Sequence, residues 1–324
     1  MKRRKAIKNT MLGLGGISLL SSFKTIEEML RPLNKNTNIG VQLFTIPSLV
    51  DKDLKGTLST LSQIGYKEIE FFGPYPFSAE ATKKEWVGIK KMLKLENEAF
   101  YGFSVEETSQ ILKDNNLTAP SVHADIVSMR VQMNKLLDGL APLNSKYVVL
   151  PALTDPNERK DENDYKKLAD EFNGFGEQMS KYNMKFVYHN HGFEHTKYDT
   201  DMGLDVLIKN TNPDYVQFEL DIFWMKAAGI DPISYLRKYP NRFKLMHLKD
   251  ASVKFRFSGD GGSPEQWMEG FPKMSDPGDG VFDIKSIIKE GQKSGVEHFY
   301  LERDLAPEPM VTLNNSFKNL SNMI

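Results

Sequence analysis

The sequence has no cysteine among its 324 residues. This absence excludes a disulfide-stabilised fold, a thiol nucleophile and any metal site with cysteine ligands. The chain also lacks a run of the roughly 18 consecutive apolar residues that a membrane-spanning helix needs. With 40% hydrophobic and 26% charged residues, the composition is otherwise typical of a folded globular protein and not of a disordered or fibrous one.

Residues 1–24 carry positive charges and no acidic residue. The positive residues are Lys2, Arg3, Arg4, Lys5, Lys8 and Lys24. A weakly apolar stretch over 10–20 follows most of these charges, which is typical of an export signal and too short and polar for a membrane anchor. The Arg3-Arg4 pair resembles the twin-arginine signal and predicts export to the periplasm. A frayed basic terminus is the alternative, and whether the signal is cleaved stays open.

The rest of the chain is acidic. The whole chain has a formal net charge of −1, and since residues 1–24 hold six positive charges, the remaining residues carry −7. A protein that binds nucleic acid needs clustered Lys and Arg to neutralise phosphates. The acidic body therefore argues against nucleic acid as the partner.

From residue 38 onward, short β-rich runs alternate with helical, charged segments. The eight runs are 39–46, 68–73, 119–125, 147–152, 185–191, 216–224, 243–250 and 298–304. The segments with helical periodicity are 54–64, 105–115, 131–140, 165–181, 283–294 and 310–323. The alternation predicts parallel βαβ units, and eight such units close a (β/α)8 TIM barrel. An open, doubly wound α/β sheet is the alternative, but the Gly-rich phosphate turn typical of it is missing.

We therefore expect residues 25–37 to be a linker and 38–324 to form a single-domain α/β TIM barrel. Two connections are long, 74–103 after the second run and 251–280 after the seventh. The second is rich in Gly and Pro, which favours a mobile cover over the barrel mouth.

Polar residues gather at the carboxyl ends of the predicted strands. They are Gln42, Glu70, His123, Asp125, His189, His191, Glu219, Asp221, His247, Lys249 and Glu302. Side chains two apart share a face of a strand. In a TIM barrel these strand ends meet at one mouth, where the catalytic groups of this fold lie. His298 begins its run instead, so we expect it at the opposite end with a structural role.

Eight short motifs in order resemble the sugar phosphate isomerase/epimerase family of the xylose-isomerase-like TIM barrel superfamily, which also includes endonuclease IV. They are GVQLFT (40–45), GYKEIEFFG (65–73), SVHAD (121–125), VYHNHGFE (187–194), ELDIFWMKAAG (219–229), LMHLKD (245–250), PGDGVFDI (277–284) and YLERD (300–304). The resemblance covers about residues 38–305.

The resemblance implies one divalent cation at the barrel mouth, Mn²⁺ in the first place, with Mg²⁺, Co²⁺ and Zn²⁺ as alternatives. Its ligands would be Asp221, His247 and Glu302. Many members of the family have Glu where this chain has His189. We expect Glu194 to supply the missing carboxylate, with His189 or His191 as alternative ligands.

Such a site can abstract a proton next to a sugar carbonyl and form an enediolate, which leads to isomerisation, epimerisation or β-elimination. The candidate proton carriers are Glu302, His189, His191 and Lys249. The candidate substrate-binding residues are Gln42, Glu70, His123 and Trp224, the last by stacking or as wall packing.

The expected function is thus a metal-dependent isomerase, epimerase or related lyase that acts on a sugar or keto-sugar. The export signal and the missing phosphate cradle favour a non-phosphorylated substrate. A barrel that binds a carbohydrate or a partner without turnover is one alternative, and an endonuclease-IV-like nuclease is another. The oligomeric state stays open.

Overall fold

The structure is a computed structural model that describes residues 38–97 and 99–324. The predicted export signal over 1–24 and the predicted linker over 25–37 lie outside the described residues.

The described residues form a closed barrel of eight parallel strands. The strands in chain order are β1 (Ile39–Gln42), β2 (Glu68–Phe71), β3 (Thr118–His123), β4 (Tyr147–Leu150), β5 (Lys185–His189), β6 (Val216–Asp221), β7 (Phe243–Leu248), β8 (Asp250–Ala251), β9 (Met274–Ser275) and β10 (His298–Leu301). The short strands β8 and β9 form a separate antiparallel pair, and β10 closes the barrel by pairing with both β7 and β1. The prediction of a (β/α)8 TIM barrel is confirmed.

Helices surround the barrel, and most of them bury apolar residues against it. The helices are Pro47–Lys52, Leu54–Ile64, Glu80–Leu93, Val105–Asp114, Ile126–Leu140, Glu162–Ser180, Gly203–Asn210, Ile222–Ala227, Pro232–Lys238, Pro264–Gly270, Ile284–Ser294 and Pro309–Leu320. Within 38–97 and 99–324, none of them is long and apolar enough to cross a membrane.

Local capping explains where the observed elements depart from the predicted bounds. The helix expected over 131–140 begins at Ile126, because the Asp125 carboxylate accepts the N–H of Ser128 and caps the helix. The strand expected over 216–224 ends at Asp221, because that carboxylate caps the helix Ile222–Ala227 through the N–H of Trp224. Both aspartates thus turn the chain outward at the barrel mouth.

The two long connections contain secondary structure that the sequence analysis did not predict. The connection 74–103 includes the helix Glu80–Leu93, and 251–280 includes the helix Pro264–Gly270. Phe255, Phe257 and Trp267 of the second connection pack on a cluster with Phe223 and Trp224. This aromatic packing anchors the cover to the barrel.

Asp250 holds the end of the same cover. Its carboxylate accepts hydrogen bonds from the N–H groups of Gly278, Gly280 and Phe282. A β-carbon on Gly280 would collide with this carboxylate, so the close approach requires glycine here. The motif PGDGVFDI therefore forms a tight turn around Asp250 and does not enter the cavity itself.

At the opposite end of the barrel, His298 begins β10 as expected. Its Nδ1 atom lies 2.9 Å from Oε2 of Glu68 at the start of β2. The ring also packs edge-on against Tyr147. His298 therefore belongs to the structural end of the barrel.

Candidate active site

Closure of the barrel brings the polar strand ends together at one mouth. The buried polar residues there are Glu70, His123, His189, His191, Glu219, Asp221, His247, Lys249, Glu302 and Asp304. They come from six strands and the turns that follow them. Their convergence agrees with the expectation from the alternation of strand side chains, and Asp304 joins the set two residues after Glu302.

Four of these side chains approach one another closely. Nε2 of His189 lies 3.2 Å from Oδ2 of Asp221. Nδ1 of His247 lies 3.8 Å from the same oxygen and 2.6 Å from Oε2 of Glu302. The ammonium of Lys249 lies 2.8 Å from Oε2 of Glu302, so this oxygen has a charged partner in addition to the ring of His247. Nitrogen and oxygen atoms that converge this closely fit the ligands of a cation.

Glu194 lies elsewhere, which differs from the expectation that it supplies the missing ligand. Its carboxylate accepts a hydrogen bond of 2.6 Å from the hydroxyl of Tyr188, and both oxygens accept the backbone N–H of His191. The reason is strand alternation: His189 points into the barrel, whereas Tyr188 points outward to Phe172. Because the carboxylate of Glu194 is bonded to the outward-pointing Tyr188, it does not reach Asp221. His189 lies next to Asp221 instead.

A second layer of side chains lies below the cluster of His189, Asp221, His247 and Glu302 and supports it. Oε2 of Glu70 lies 2.7 Å from Nε2 of His247 and 3.0 Å from Nε2 of His123. The two oxygens of Glu219 lie 3.1 and 3.2 Å from the same two nitrogens. These four residues could also surround a cation themselves. A carboxylate that holds the far nitrogen of a ligating histidine is the usual support of a metal site.

Gln42 belongs to this supporting layer. Its side-chain N–H₂ donates to Glu70, and its side-chain oxygen accepts the N–H of Phe44. Both Gln42 and Glu70 are completely buried, and neither is among the described residues that line the cavity. The expectation that they bind sugar hydroxyls therefore does not agree with their position, whereas His123 does line the cavity.

The site holds a large excess of buried negative charge. Glu70, Glu219, Asp221, Glu302 and Asp304 are five carboxylates against the single ammonium of Lys249. Uncompensated buried charge is costly, so the balance must come from imidazolium groups or from a bound cation. The site thus also fits a divalent cation on electrostatic grounds.

The pKa values follow from the same arrangement. Burial disfavours the charged form of His123, but Glu70 and Glu219 outweigh burial and raise its pKa to about 9. Burial raises the pKa of Asp304 to about 7, although Lys249 opposes the rise. Burial also lowers the pKa of His191 well below its usual range, with His189 as the next cause. At neutral pH the structure therefore combines a charged imidazolium with a neutral imidazole.

Lys249 lies at the centre of three carboxylates. Its Nζ atom is 2.7 Å from Asp304, 2.8 Å from Glu302 and 3.1 Å from Asp221. The same atom lies 5.0 Å from the ring centre of Trp224. The three carboxylates keep Lys249 charged, and its position at the cavity floor lets it meet a bound molecule.

A cavity of about 340 Å³ opens above these groups. The described residues that line it include His123, His189, His191, Lys249, Glu302 and Asp304 at the floor, and Phe44, Phe72, Trp86, Trp224, Trp267 and Phe271 on the walls. Trp224 is only 2% exposed and stacks on His191 and Phe257. It therefore both belongs to the packed wall and lines the cavity.

Sequence reasoning missed Trp86, Trp267 and Asp304. Asp304 follows Glu302 by two residues, so strand alternation was a usable signal for it. The two tryptophans lie in the long connections, where the sequence predicted no regular structure and therefore no direction for a side chain.

The chain is similar to proteins of known fold. The family model described as xylose isomerase-like TIM barrel matches residues 58–310. An inosose dehydratase of Clostridium perfringens (strain 13 / Type A) is 25% identical over 282 residues, which are 83% of this chain and 90% of that protein.

Two solved structures share the fold. A sugar phosphate isomerase/epimerase of Parabacteroides distasonis ATCC 8503 has a TM-score of 0.67 and 23% identity, covering 88% of this chain and 93% of the other. The IolI protein with a bound zinc atom has a TM-score of 0.62 and 15% identity, covering 89% and 96%. Because the family model matches most of the chain, the chain belongs to the xylose isomerase-like TIM barrel family.

Proposed function

We propose that the chain is a divalent-metal-dependent isomerase, epimerase or related lyase that acts on a sugar or keto-sugar. The observation that carries the proposal is the close approach of His247 to Glu302 and Asp221 beside His189, at the polar floor of an aromatic cavity. The similarity to an inosose dehydratase supports the substrate class, since an inosose is a ketone of a cyclic polyol.

His189, Asp221, His247 and Glu302 would hold the cation. Carboxylates suit Mn²⁺ and Mg²⁺, and imidazoles suit Zn²⁺ and similar ions, so this mixed set accepts several divalent metals. We propose Mn²⁺, with Zn²⁺, Co²⁺ and Mg²⁺ as alternatives. The zinc in the IolI structure makes Zn²⁺ the first of these alternatives. When bound, the cation supplies Lewis acidity that stabilises negative charge developing on a carbonyl oxygen.

His191 is the proposed base. Its imidazole is neutral because it is buried, and it faces the cavity next to His189, with 5.0 Å between the ring centres. It takes the proton from the carbon next to the carbonyl, and the electron pair of that C–H bond moves toward the carbonyl oxygen to give an enediolate. Delivery of a proton to the opposite face of the same carbon by a second acid, such as Lys249, gives epimerisation. Delivery of a proton to the former carbonyl carbon, with a proton moving between the two oxygens, gives isomerisation.

Lys249 supplies an acid for the lyase reaction. Its ammonium can donate a proton to a hydroxyl on the next carbon as that C–O bond breaks, which releases water and completes a dehydration. The imidazolium of His123 lines the same cavity and can donate a hydrogen bond to a substrate oxygen. Together, His191, Lys249 and His123 can thus support isomerisation or epimerisation on the one hand and dehydration on the other, both from the same enediolate.

The test uses purified protein and a panel of free aldoses, ketoses and 3-keto-sugars in ²H₂O. We expect about one divalent ion per chain by elemental analysis, and deuterium incorporation at a carbon next to the carbonyl in the presence of Mn²⁺. Sugar binding without a metal and without exchange would instead favour the non-catalytic barrel. Loss of water from a keto-sugar would distinguish the lyase from the isomerase.

We also propose that the protein is exported to the periplasm. The support is the Arg3-Arg4 pair followed by a weakly apolar stretch. Replacement of both arginines by lysine is expected to retain the full-length chain in the cytoplasm, as judged by cell fractionation. Unchanged export of this variant would contradict a twin-arginine signal.

A further inference from the structure

All three tryptophans of the chain line the same cavity. Trp224 follows β6 and is buried, whereas Trp86 and Trp267 are partly exposed. The latter two come from the helices Glu80–Leu93 and Pro264–Gly270, one in each long connection. The barrel itself therefore supplies the inner tryptophan, and the two connections supply the outer ones.

A row of three aromatic rings and one pair of adjacent rings line the cavity. On one wall Phe44 contacts Phe72, and Phe72 contacts Trp86, with ring centres 5.3 and 5.9 Å apart. On the other wall His191 contacts Trp267, with ring centres 4.8 Å apart. Trp267 therefore adjoins the floor residue His191 directly, whereas Phe72 lies between Trp86 and Phe44. His191 is buried and both tryptophans are partly exposed, so the tryptophans extend toward the solvent side of the cavity.

The helix that carries Trp86 has little packing of its own. None of its described residues, over Glu80–Leu93, is buried. Helices in proteins owe most of their stability to packing of an apolar face. A helix that holds a partly exposed tryptophan over a cavity gains packing when a ligand covers that ring.

Trp267 is held more firmly. Its indole N–H donates a hydrogen bond of 2.8 Å to the backbone oxygen of Gly261. The polar edge of the ring is therefore occupied, and what the ring offers to a ligand is its face. A sugar ring presents C–H groups on one face, and this face packs well against an aromatic ring, while its hydroxyls remain hydrated at the open rim.

The volume of the cavity agrees with more than one ring. At about 340 Å³ it lies in the range of roughly 300–1,000 Å³ in which drug-sized ligands bind. Lys249 and His191, which can hold one sugar ring, line this cavity together with Trp86 and Trp267, which can hold another.

We propose that the outer part of the cavity is a stacking subsite for a second sugar ring, so that the substrate is a disaccharide whose oxidised ring lies at the floor. The oxidised ring rests on the proposed function, whereas the outer subsite rests only on the placement of Trp86 and Trp267. The two can therefore fail separately.

The first experiment measures binding without turnover, by quenching of tryptophan fluorescence and by calorimetry. The probes are an unoxidised glucose disaccharide and methyl glucoside. We expect the disaccharide to bind about tenfold more tightly, and this preference to fall to about twofold or less in Trp86→Ala and in Trp267→Ala. Val87→Ala and Met268→Ala are matched controls, since these side chains are 64% and 59% exposed on the same two helices; the preference should stay unchanged in both.

Equal binding of the two probes by the unmodified protein would overturn the proposal, and so would a preference that survives both tryptophan substitutions. The second experiment follows deuterium exchange into the keto forms of the same two compounds. Exchange in neither compound would refute the proposed function, while a retained disaccharide preference in the binding experiment would still support the subsite.

Discussion

Nδ1 of His247 lies 2.6 Å from Oε2 of Glu302, and the ammonium of Lys249 lies 2.8 Å from the same oxygen. Two buried atoms with lone pairs repel each other at this distance unless a proton or a cation lies between them. The other ring nitrogen of His247 lies 2.7 Å from Glu70. His247 therefore connects the proposed metal ligands to the carboxylate layer beneath them.

The fourth metal ligand is the first point to test. His189→Gln is expected to weaken metal binding by roughly 100-fold or more, since even loss of an outer partner costs roughly 10–100-fold. Glu194→Gln should leave the affinity unchanged, because the carboxylate of Glu194 is engaged with Tyr188 and His191. Metal titration by calorimetry measures both. Loss of the metal in Glu194→Gln together with its retention in His189→Gln would show that our placement of the ligand is wrong.

Glu70 is expected to position His247. Glu70→Gln should lower metal affinity by roughly 10–100-fold while circular dichroism shows a folded barrel. Glu68→Gln is the matched control, because Glu68 lies on the same strand and pairs with His298 at the other end of the barrel. Equal metal affinities for the two variants would contradict the positioning role.

Lys249 is expected to act in proton transfer. Lys249→Met should reduce turnover by roughly 10²–10⁴-fold, the usual contribution of a general acid, with the metal retained. Lys244→Met is the control, since Lys244 is the second residue of β7, the strand that Lys249 directly follows, and it contacts Glu297. Deuterium exchange and elemental analysis on both variants check the prediction. Full activity of Lys249→Met would remove the lysine from the mechanism.

His195 makes stability depend on pH outside the active site. Neither of its ring nitrogens has a hydrogen-bond partner among the described residues, and burial lowers its pKa from 6.5 to about 4. Between these values the unfolded chain binds a proton that the folded chain does not. The stabilising contribution is thus complete above pH 6.5 and is lost as the pH falls toward 4, by about 3 kcal/mol.

Urea unfolding at a series of pH values measures this dependence. In His195→Phe the free energy of unfolding should fall less steeply over the same pH range, because the variant has no imidazole to protonate at this position. Identical slopes for the variant and the unmodified protein would show that other groups cause the acid sensitivity.

The outline of the site was predictable from local patterns. Asp221, His247 and Glu302 end strands that can be recognised by their β-rich composition, and the barrel places strand ends together. The alternation of strand side chains also implies that His189 faces the same way as His191. The predicted convergence of these residues rests only on these two regularities.

The side chains that lie elsewhere than expected have a common cause. Glu194 was expected at the metal site because it follows β5, but the turn after the strand directs it to Tyr188. Gln42 and Glu70 were expected to meet the substrate, but they lie one layer deeper, under His247. Depth along a strand and the direction of a turn depend on neighbouring strands, which a single sequence does not show.

The sequence by itself determined the order of the eight barrel strands, the inward or outward direction of each strand side chain and the acidic character of the body, because these depend on residues close together in the chain. Only the tertiary structure decided which partners each polar side chain meets, as when Glu70 and His247, 177 positions apart, come within 2.7 Å. It also placed Trp86 and Trp267 in one cavity. Closure of the barrel is a long-range event, and the contacts that it creates have no local signature.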